Sequence, residues 1–261
     1  MTRVGVLGAG GRMGLEVCRA VHAEEGMDLS VVVDPTFAER DYLGPGGPGV
    51  EVAQSISALR GSQVDVAVDF TSARAAVDNI RWCLDEKIAV VVGTTGMSQD
   101  ILKEVEELCS QKDGHVLVAP NFAIGAVLAM RFAEMAAAWM PDAEVIELHH
   151  EGKADSPSGT AIKTAEGIAK GRRAGPAAPG SQTETMPGAR GAEMEGVHIH
   201  SVRLPGLVAH QEVIFGSRGQ TLSIRHDSTD RTSFMPGVVL AIRKIGERPG
   251  LTIGLENLLG L

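Results

Sequence analysis

The first half of the chain alternates short apolar runs with longer amphipathic stretches, and this alternation restricts the possible fold more than any other feature. The apolar runs are RVGVL (3–7), LSVVV (29–33), VDVAV (64–68), IAVVV (88–92) and HVLV (115–118). Between them lie amphipathic stretches such as SARAAVDNIRWCLDE and SQDILKEVEELCSQK. Strands that alternate with helices form parallel sheets through right-handed crossovers. The sequence therefore predicts an α/β domain built on a parallel sheet.

A glycine-rich turn, GAGGRMG, follows the first apolar run and precedes an amphipathic stretch. The spacing Gly8-x-x-Gly11-x-x-Gly14 departs from strict G-x-G-x-x-G, and such a turn taken alone is also typical of a plain connection. The context favours dinucleotide binding, because Asp34 ends the second strand twenty residues after Gly14. Glycines let the backbone approach a pyrophosphate, and the helix N-terminus offers it free N–H groups. We therefore expect a Rossmann-like domain.

The expected cofactor contacts lie in loops at the carboxyl ends of the strands, where open α/β sheets bind ligands. They are Gly8, Ala9, Gly10, Gly11, Arg12, Met13, Asp34, Phe70, Gly93, Thr94, Thr95, Ala119, Pro120, Asn121 and Phe122. Asp34 is expected to bind ribose hydroxyls and to repel a 2′-phosphate, while Arg12 is a candidate phosphate ligand. The sequence thus favours NADH, with NADPH tolerated. Each loop taken alone would equally suit an ordinary strand-to-helix turn.

The pattern changes after the apolar helix FAIGAVLAMRFAEMAAAWM. Four extended runs follow, AEVIELHH, VHIHSVRL, AHQEVIFG and QTLSIRHD, and no helix separates the last three. This predicts a smaller α+β domain with a mixed or antiparallel sheet. We assign residues 1–122 and 232–261 to the dinucleotide-binding domain, and 123–231 to substrate binding and oligomerisation. Two chain crossings, near Phe122 and Arg231, suit a hinge that closes on its ligands.

A long loop rich in Gly and Pro, residues 171–196, lies between the first two of these extended runs. Loops of this length without secondary structure are usually functional or ordered by a partner surface. We expect this loop to contact another subunit.

The composition argues against several classes of protein. A formal net charge of −9 argues against a nucleic-acid partner. No apolar run is long enough to cross a bilayer, and the N-terminal residues lead directly into a strand rather than a signal peptide. The three cysteines, Cys18, Cys83 and Cys109, are odd in number and widely spaced, which favours free thiols in a reducing compartment. We therefore expect a cytoplasmic protein without a nucleic-acid or membrane partner.

The stretch ELHHEGKADSPSGTA (147–161) concentrates groups that suit a small anionic ligand needing a proton. His149 and His150 end a strand and diverge, because neighbouring strand residues face opposite ways. Lys153 follows in a short loop. A helix is expected to start here, with Ser156 as its N-cap and Pro157 at its first position. The backbone amides near Ser158, Gly159 and Thr160 would then form a carboxylate site.

Less specific interpretations exist for each part of this stretch. The two histidines could be surface residues, Lys153 could be a solvated ion pair with Glu151 or Asp155, and SPSGT could be a helix cap alone. Adjacent histidines that point apart, with no evident acidic third ligand, argue against a metal site. Their joint occurrence with a dinucleotide fold favours a ligand site.

The motifs GAGGRMG, GTTG, APNF and ELHHEGKADSPSGTA, with GLVAHQEVIFG and RHDSTDRTSF, resemble the dihydrodipicolinate reductase family of lysine and diaminopimelate synthesis. The resemblance spans nearly the whole chain, and its most specific part is ELHHEGKADSPSGTA. It implies a homotetramer in which NADH or NADPH reduces the cyclic dicarboxylate 4-hydroxy-tetrahydrodipicolinate to tetrahydrodipicolinate. Pro35 stands where some members carry an arginine, which argues against strict NADPH use.

The resemblance also implies roles for individual residues. His149 would be the acid/base residue and Lys153 the proton donor, while His150, Gly159 and Thr160 would hold the substrate carboxylates. Hydride delivered by the nicotinamide leaves a carbanion or enamine, to which one of the first two residues gives a proton.

Two other functions share parts of this sequence pattern. An aspartate or homoserine dehydrogenase-like reductase would share the first half of the chain but would not need HHEGKADSPSGT. A protein that senses NAD(H) without turnover would bind the cofactor and transfer no hydride. Turnover assays with different carbonyl substrates discriminate among the three.

Overall fold

The computed structural model describes residues 1–38, 42–45, 50–94, 96–173, 175 and 183–260. The chain divides into two compact units, which we call unit 1 and unit 2. Unit 1 comprises Met1–Phe122 and Phe234–Leu261, and unit 2 comprises Ala123–Ser233.

Unit 1 is built on a parallel sheet of seven strands. The strands are β1 Thr2–Leu7, β2 Met27–Val33, β3 Glu51–Ala53, β4 Val66–Asp69, β5 Ala89–Val92, β6 His115–Val118 and, near the C-terminus, β12 Gly250–Ile253. Their order across the sheet is β12-β6-β5-β4-β1-β2-β3. The carboxyl ends of β1, β2 and β4 therefore lie side by side, at the edge where ligands bind in such sheets.

The helices of unit 1 connect these strands. They are α1 Arg12–Ala23, α2 Ala58–Gly61, α3 Ala73–Asp85, α4 Gln99–Lys112, α7 Met235–Lys244 and α8 Glu256–Leu259, with 3₁₀ turns at Pro35–Ala38 and Ile245–Glu247. Serine side chains cap α3 and α4, because Ser72 and Ser98 accept hydrogen bonds from the N–H groups of Ala75 and Ile101. One face of the sheet packs on α3 and α4 through a core that includes Val90, Ile80 and Val105.

Unit 2 is a five-stranded mixed sheet with two helices. The strands are β7 Asp142–His149, β8 Ala192–Met194, β9 Val197–Arg203, β10 Ala209–Ser217 and β11 Gln220–Ser228; the helices are α5 Ile124–Ala137 and α6 Gly159–Gly171. Their order is β11-β10-β7-β9-β8. The β7–β9 pair is parallel and the other pairs are antiparallel, so the sheet is mixed, which is one of the two forms that the sequence predicted. The predicted fold class, a Rossmann-like parallel sheet with a second mixed sheet, is confirmed.

Both helices of unit 2 pack on one face of its sheet. Val145 on β7, Ile199 on β9 and Phe215 on β10 meet Ala133 of α5 and Ile168 of α6 in a common core. We call this the inner face and the opposite side the outer face. Because strand residues alternate between faces, Glu147 and His149 share the inner face with Val145.

Residues 174 and 176–182 of the long Gly/Pro-rich loop lie outside the described residues, so the expected subunit contact stays a prediction. The described remainder forms turns and then β8, a strand that the sequence did not indicate. Among the residues that the structure describes, no helix combines the length and the apolar character needed to cross a membrane.

Candidate functional site

The glycine-rich turn of unit 1 needs glycine for steric reasons. Gly8 has a φ of +77°, and a Cβ there would lie 2.7 Å from the carbonyl oxygen of Phe70. A Cβ on Gly14 would lie 2.1 Å from the carbonyl oxygen of Gly8. No side chain caps the start of α1 at Gly11. The turn therefore brings backbone close to the carboxyl edge of the sheet and leaves the helix start open to a ligand.

Asp34 ties the end of β2 to this turn. Its carboxylate is 7% exposed. Oδ2 accepts a hydrogen bond of 2.8 Å from the N–H of Gly10, and Oδ1 accepts bonds from the N–H and Oγ1 of Thr36, at 2.9 and 2.6 Å. The acid predicted to bind a ribose thus also holds the glycine turn in place.

A cavity of about 580 Å³ opens between these segments. It is lined by Leu7, Gly8, Gly11, Val33, Asp34, Pro35, Gln54, Ser55, Ile56, Phe70, Thr71, Ser72, Ala75 and Asn79. Four of the predicted cofactor residues therefore meet here: Gly8, Gly11, Asp34 and Phe70. The sequence prediction missed the lining residues that follow β3 and those that follow Phe70 after β4, although their place after strands was the available signal.

A buried carboxylate organises the rim of this cavity. Asp69 accepts hydrogen bonds from the N–H and Oγ1 of Thr71, at 2.8 and 2.6 Å, and from Nδ2 of Asn79 at 2.8 Å. The hydroxyl of buried Thr94 lies 3.5 Å from the same carboxylate. Asp69 therefore fixes the loop after β4.

The remaining predicted cofactor residues partly assemble around one aromatic ring. A Cβ on Gly93 would lie 2.2 Å from the Phe70 ring, whose centroid is 5.8 Å from that of Phe122. Ala119, three residues before Phe122, is buried, whereas Pro120 is exposed. The structure does not place Ala9, Gly10, Arg12, Met13 or Asn121 in the cavity lining. Thr95 lies outside the described residues.

In unit 2 the predicted catalytic residue His149 is the last residue of β7. At this end of the sheet the side chains of the inner face are polar rather than apolar. Strand pairing places Gln211, Glu147 and Ser201 in one row, and Ala209, His149 and Arg203 in the next. The polar rows begin where the apolar core of Val145 ends, beside the start of α6.

Glu147 is the centre of this polar region and has no exposed surface. Its Oε2 is hydrogen-bonded to Nδ1 of His149, and its two oxygens accept 2.8 Å bonds from the two terminal nitrogens of Arg203. The N–H of Ser158 is 3.3 Å from Oε1. Burial raises the pKa of Glu147, but hydrogen bonds from His149, Arg203 and Ser201 outweigh it and lower that pKa to about 2.

Helix α6 begins at Gly159, later than expected. Ser158 is its N-cap, and its Oγ accepts a 3.2 Å bond from the N–H of Ala161. The expected cap at Ser156 with Pro157 as the first helical residue is therefore wrong. A Cβ on Gly159 would meet nothing within 4 Å, so the helix start has open space before it. Thr160 occupies the first turn.

Lys153 lies in the loop between β7 and α6. Its Nζ donates a 2.6 Å hydrogen bond to Asp155, and its N–H bonds the carbonyl oxygen of His150 at 3.2 Å. Arg203 in turn donates 2.7 Å to the carbonyl oxygen of Asp155. Contacts through Glu147 and Arg203 thus link His149, the Lys153 loop and the start of α6. His150 directly follows the last residue of β7.

The described residues contain no group of three or more His, Cys, Asp or Glu side chains arranged to hold a metal ion. Each unit instead offers its own chemical groups: unit 1 a cavity of about 580 Å³ beside the glycine-rich turn, and unit 2 a histidine, a lysine and an open helix N-terminus. These suit binding of an anion and transfer of a proton.

Comparison with known proteins gives full-length matches. A family model described as "Dihydrodipicolinate reductase, N-terminus" matches residues 2–122, and one described as "Dihydrodipicolinate reductase, C-terminus" matches residues 125–259. The 4-hydroxy-tetrahydrodipicolinate reductases of Mycolicibacterium vanbaalenii and Mycolicibacterium smegmatis are 51% and 49% identical over 260 residues, which is 99% of each chain. A solved dipicolinate-bound dihydrodipicolinate reductase from Paenisporosarcina sp. TG-14 is 42% identical, with a TM-score of 0.87 over 98% of this chain and 99% of that one.

Proposed function

Because the chain belongs to the dihydrodipicolinate reductase family, we propose that it reduces 4-hydroxy-tetrahydrodipicolinate to tetrahydrodipicolinate in lysine and diaminopimelate biosynthesis. The family resemblance predicted from the motifs is confirmed, and the chain is an NAD(P)H-dependent oxidoreductase. The observation that carries the proposal is full-length identity of 51% to a reductase of that name. The roles of the individual residues stay predictions.

The cavity of unit 1 fits a dinucleotide. Its lining includes Asp34 and two residues of the glycine-rich turn, Gly8 and Gly11. Added Cβ atoms on Gly8 and Gly14 of this turn would clash with backbone. In the proposal the turn and the start of α1 bind the pyrophosphate, Asp34 binds the adenosine ribose, and the surroundings of Phe70 and Gly93 take the nicotinamide end. The bound cofactor supplies the hydride.

The start of α6 is the proposed carboxylate site for the substrate. The open space before Gly159 lets a carboxylate reach backbone N–H groups at a helix N-terminus, where the helix dipole favours negative charge. The hydroxyl of Thr160 and the ring of His150 are the further proposed contacts. The similar reductase from Paenisporosarcina sp. TG-14 was solved with dipicolinate bound, and this ligand is itself a dicarboxylate, which supports the assignment.

Lys153 and His149 are the proposed proton-transfer residues. The Lys153 ammonium is 22% exposed and is positioned by Asp155, so it keeps an exposed face toward solvent or ligand. His149 is 14% exposed and is positioned by Glu147. Both lie in the segment that runs from the end of β7 to the start of α6. In the proposal both come within hydrogen-bond reach of the substrate bound there, the distance that general acid catalysis requires.

We propose a homotetramer that works in the cytoplasm. The outer face of the unit 2 sheet carries the partly exposed apolar side chains Ile146, Leu148, Val202 and Ile214, while α5 and α6 pack on the inner face. Uncovered apolar sheet faces commonly mark protein–protein contacts.

The test of the function is cofactor oxidation by the purified protein with freshly generated 4-hydroxy-tetrahydrodipicolinate. We expect turnover with both cofactors and a higher kcat/KM for NADH, because Asp34 would lie beside the 2′-phosphate of NADPH. Cofactor binding without oxidation would contradict the substrate assignment and leave the dinucleotide site intact.

Lys153→Ala is expected to lower kcat by about 10²–10⁴-fold, because the positioned proton donor is lost. Steady-state kinetics and the dissociation constant of NADH are the measurements, and cofactor binding should not change. Lys163→Ala, which removes an exposed lysine from α6, is the matched control and should keep the activity of the unsubstituted protein. Full turnover by Lys153→Ala would contradict the assignment.

A further inference from the structure

A fully buried carboxylate next to a proposed catalytic histidine calls for an explanation. Glu147 has no exposed surface, although a buried carboxylate is costly unless it is paired and hydrogen-bonded. Its position on β7 belongs to the inner face, where the preceding inward residue, Val145, is part of the apolar core. The chain therefore places a charge where strand alternation alone would favour another apolar side chain.

Arg203, which pairs with the Glu147 carboxylate, is itself held in place by backbone groups. Arg203 presents both terminal nitrogens to Glu147, each at 2.8 Å from one carboxylate oxygen. The same two nitrogens also donate 2.7 Å bonds to the backbone carbonyl oxygens of Val202 and Asp155. Because the Arg203 guanidinium is held by two backbone carbonyl oxygens, its bidentate pair with Glu147 fixes the orientation of the carboxylate. The same pair stabilises the ionised form of the carboxylate.

The Glu147 carboxylate also contacts the histidine ring. Oε2 of Glu147 lies against Nδ1 of His149, and an ionised carboxylate can only accept hydrogen bonds. With the pKa of Glu147 lowered to about 2, the carboxylate is ionised at neutral pH, so Nδ1 must carry the proton. In the neutral ring Nε2 is then the basic nitrogen, and among the described residues it has no hydrogen-bond partner.

We propose that Glu147, clamped by Arg203, is a positioning residue that holds His149 in its Nδ1–H tautomer and turns Nε2 toward the reacting molecule. The inference rests on the proposed function and assigns the proton-transfer atom of that site. Glu147 touches neither cofactor nor substrate and acts through His149. It also stabilises the imidazolium that forms when Nε2 takes a proton from water, and that imidazolium then gives the proton to the carbanion or enamine and returns to the Nδ1–H form.

A second Glu–His–Arg group is centred on another glutamate of β7 and provides a comparison. Glu144, on the outer face of β7, is hydrogen-bonded by Arg190 and by His200. There the histidine uses Nε2 at 2.7 Å rather than Nδ1, and the carboxylate is 36% exposed. The inner group differs in two ways: its carboxylate is fully buried, and its histidine bonds through Nδ1, which selects the opposite tautomer.

The first test is the tautomer of His149 in the unsubstituted protein, read from the ¹⁵N chemical shifts of its ring with histidine labelling. His149→Gln assigns the signal. We expect the neutral form of the ring to carry its proton on Nδ1. A neutral form protonated on Nε2 would overturn the proposal, and this readout does not depend on whether the substrate assignment is right.

The second test is the kinetics of Glu147→Gln, whose amide can donate to Nδ1 and reverse the tautomer. We expect kcat to fall by about 10²–10⁴-fold with KM changed by less than about threefold. Glu147→Gln combined with Arg203→Met removes the orphaned guanidinium and should stay as slow. Glu134→Gln, which breaks ion pairs to Arg131 and Lys170 elsewhere in unit 2, is the control and should keep full activity.

The outcomes separate the two proposals. A folded Glu147→Gln protein with unchanged kcat, or with a raised KM alone, would show that Glu147 is only a structural clamp and would overturn the inference. If the unsubstituted protein fails to oxidise either cofactor, the proposed function fails, and the tautomer measurement still decides the role of Glu147.

Discussion

At the scale of single residues, Glu147 couples the stability of unit 2 to pH. Its pKa in the folded protein is about 2, below its ordinary value of 4.5, because hydrogen bonds from His149 and Arg203 outweigh the effect of burial. A carboxylate whose pKa is lowered by folding stabilises the folded state in full above its unfolded pKa. That contribution is lost as the pH falls from about 4.5 toward 2.

We therefore expect Glu147→Gln to lower the free energy of unfolding by on the order of 3 kcal/mol at pH 7, with a smaller difference at pH ~3. The difference in the free energy of unfolding between the two proteins becomes smaller at low pH, because a protonated glutamate resembles the glutamine amide. Urea unfolding at the two pH values is the measurement. Glu134→Gln, at a carboxylate that is 22% exposed, should change the free energy by less than about 1 kcal/mol. If the stability difference between Glu147→Gln and the unsubstituted protein did not depend on pH, the assigned role of the Glu147 pKa would be wrong.

The sequence reveals His149 and Lys153 but not the pair that positions the histidine. Strand alternation does place Glu147 on the same face as Val145, which was a usable signal for a special carboxylate. Its partner Arg203 is 56 residues away, and only the parallel pairing of β7 with β9 brings the two together. That pairing was missed, although the helix expected after Ser156 separates the two runs and a strand–helix–strand order favours parallel neighbours.

At the scale of secondary structure, α6 has glycines at both ends with opposite steric surroundings. Gly159 opens the helix with nothing within 4 Å of an added Cβ. Gly171 closes it against α5, where an added Cβ would lie 2.0 Å from the carbonyl oxygen of Glu134. The first glycine leaves room for a ligand, and the second allows the two helices to approach.

Alanine at these two positions should therefore have different effects. Gly159→Ala should leave the free energy of unfolding unchanged or raise it by up to about 1 kcal/mol, and should raise the KM for the substrate. Gly171→Ala should lower the free energy of unfolding by roughly 1–3 kcal/mol through overpacking. Urea unfolding and steady-state kinetics measure both. Equal stability changes, or an unchanged KM in Gly159→Ala, would count against the carboxylate site.

Most strands and long helices follow from the periodicity of the sequence, whereas short elements do not. The glycine turn, Asp34 and the alternation in unit 1 predicted its sheet, but β3 with three residues and α2 with four are too short for a periodic signal. The cavity residues after β3 were missed for that reason. At α6 two serines preceded the helix, and the hydrogen bond to Ala161, not the residue type, selects Ser158 as the cap.

At the scale of the whole molecule, the outer face of the unit 2 sheet is the proposed assembly surface. Its apolar side chains alternate with charged groups such as Glu144, whose pKa is lowered because bonds from His200 and Arg190 outweigh its burial. A surface of this kind, apolar and bordered by paired charges, is typical of contacts between subunits.

We expect Ile214→Asp to dissociate the assembly, because it places a charge in the middle of this face. Light scattering coupled to size exclusion should show a particle of four 27.4 kDa chains for the unsubstituted protein and a smaller one for the variant. Met135→Asp, at an exposed position of α5, is the control and should remain assembled. A monomeric unsubstituted protein, or a tetrameric Ile214→Asp variant, would contradict the proposal.

The three cysteines give the molecule a built-in reporter of opening. Cys18, Cys83 and Cys109 all lie in unit 1 and are almost completely buried, and burial raises the pKa of each thiol, to about 11 for Cys18 and Cys109. Thiol reagents attack thiolates, so labelling must wait until unit 1 opens. The two tryptophans, in contrast, are divided between the units, with Trp82 in unit 1 and Trp139 in unit 2. Labelling kinetics compared with fluorescence would therefore resolve which unit opens first, without any added probe.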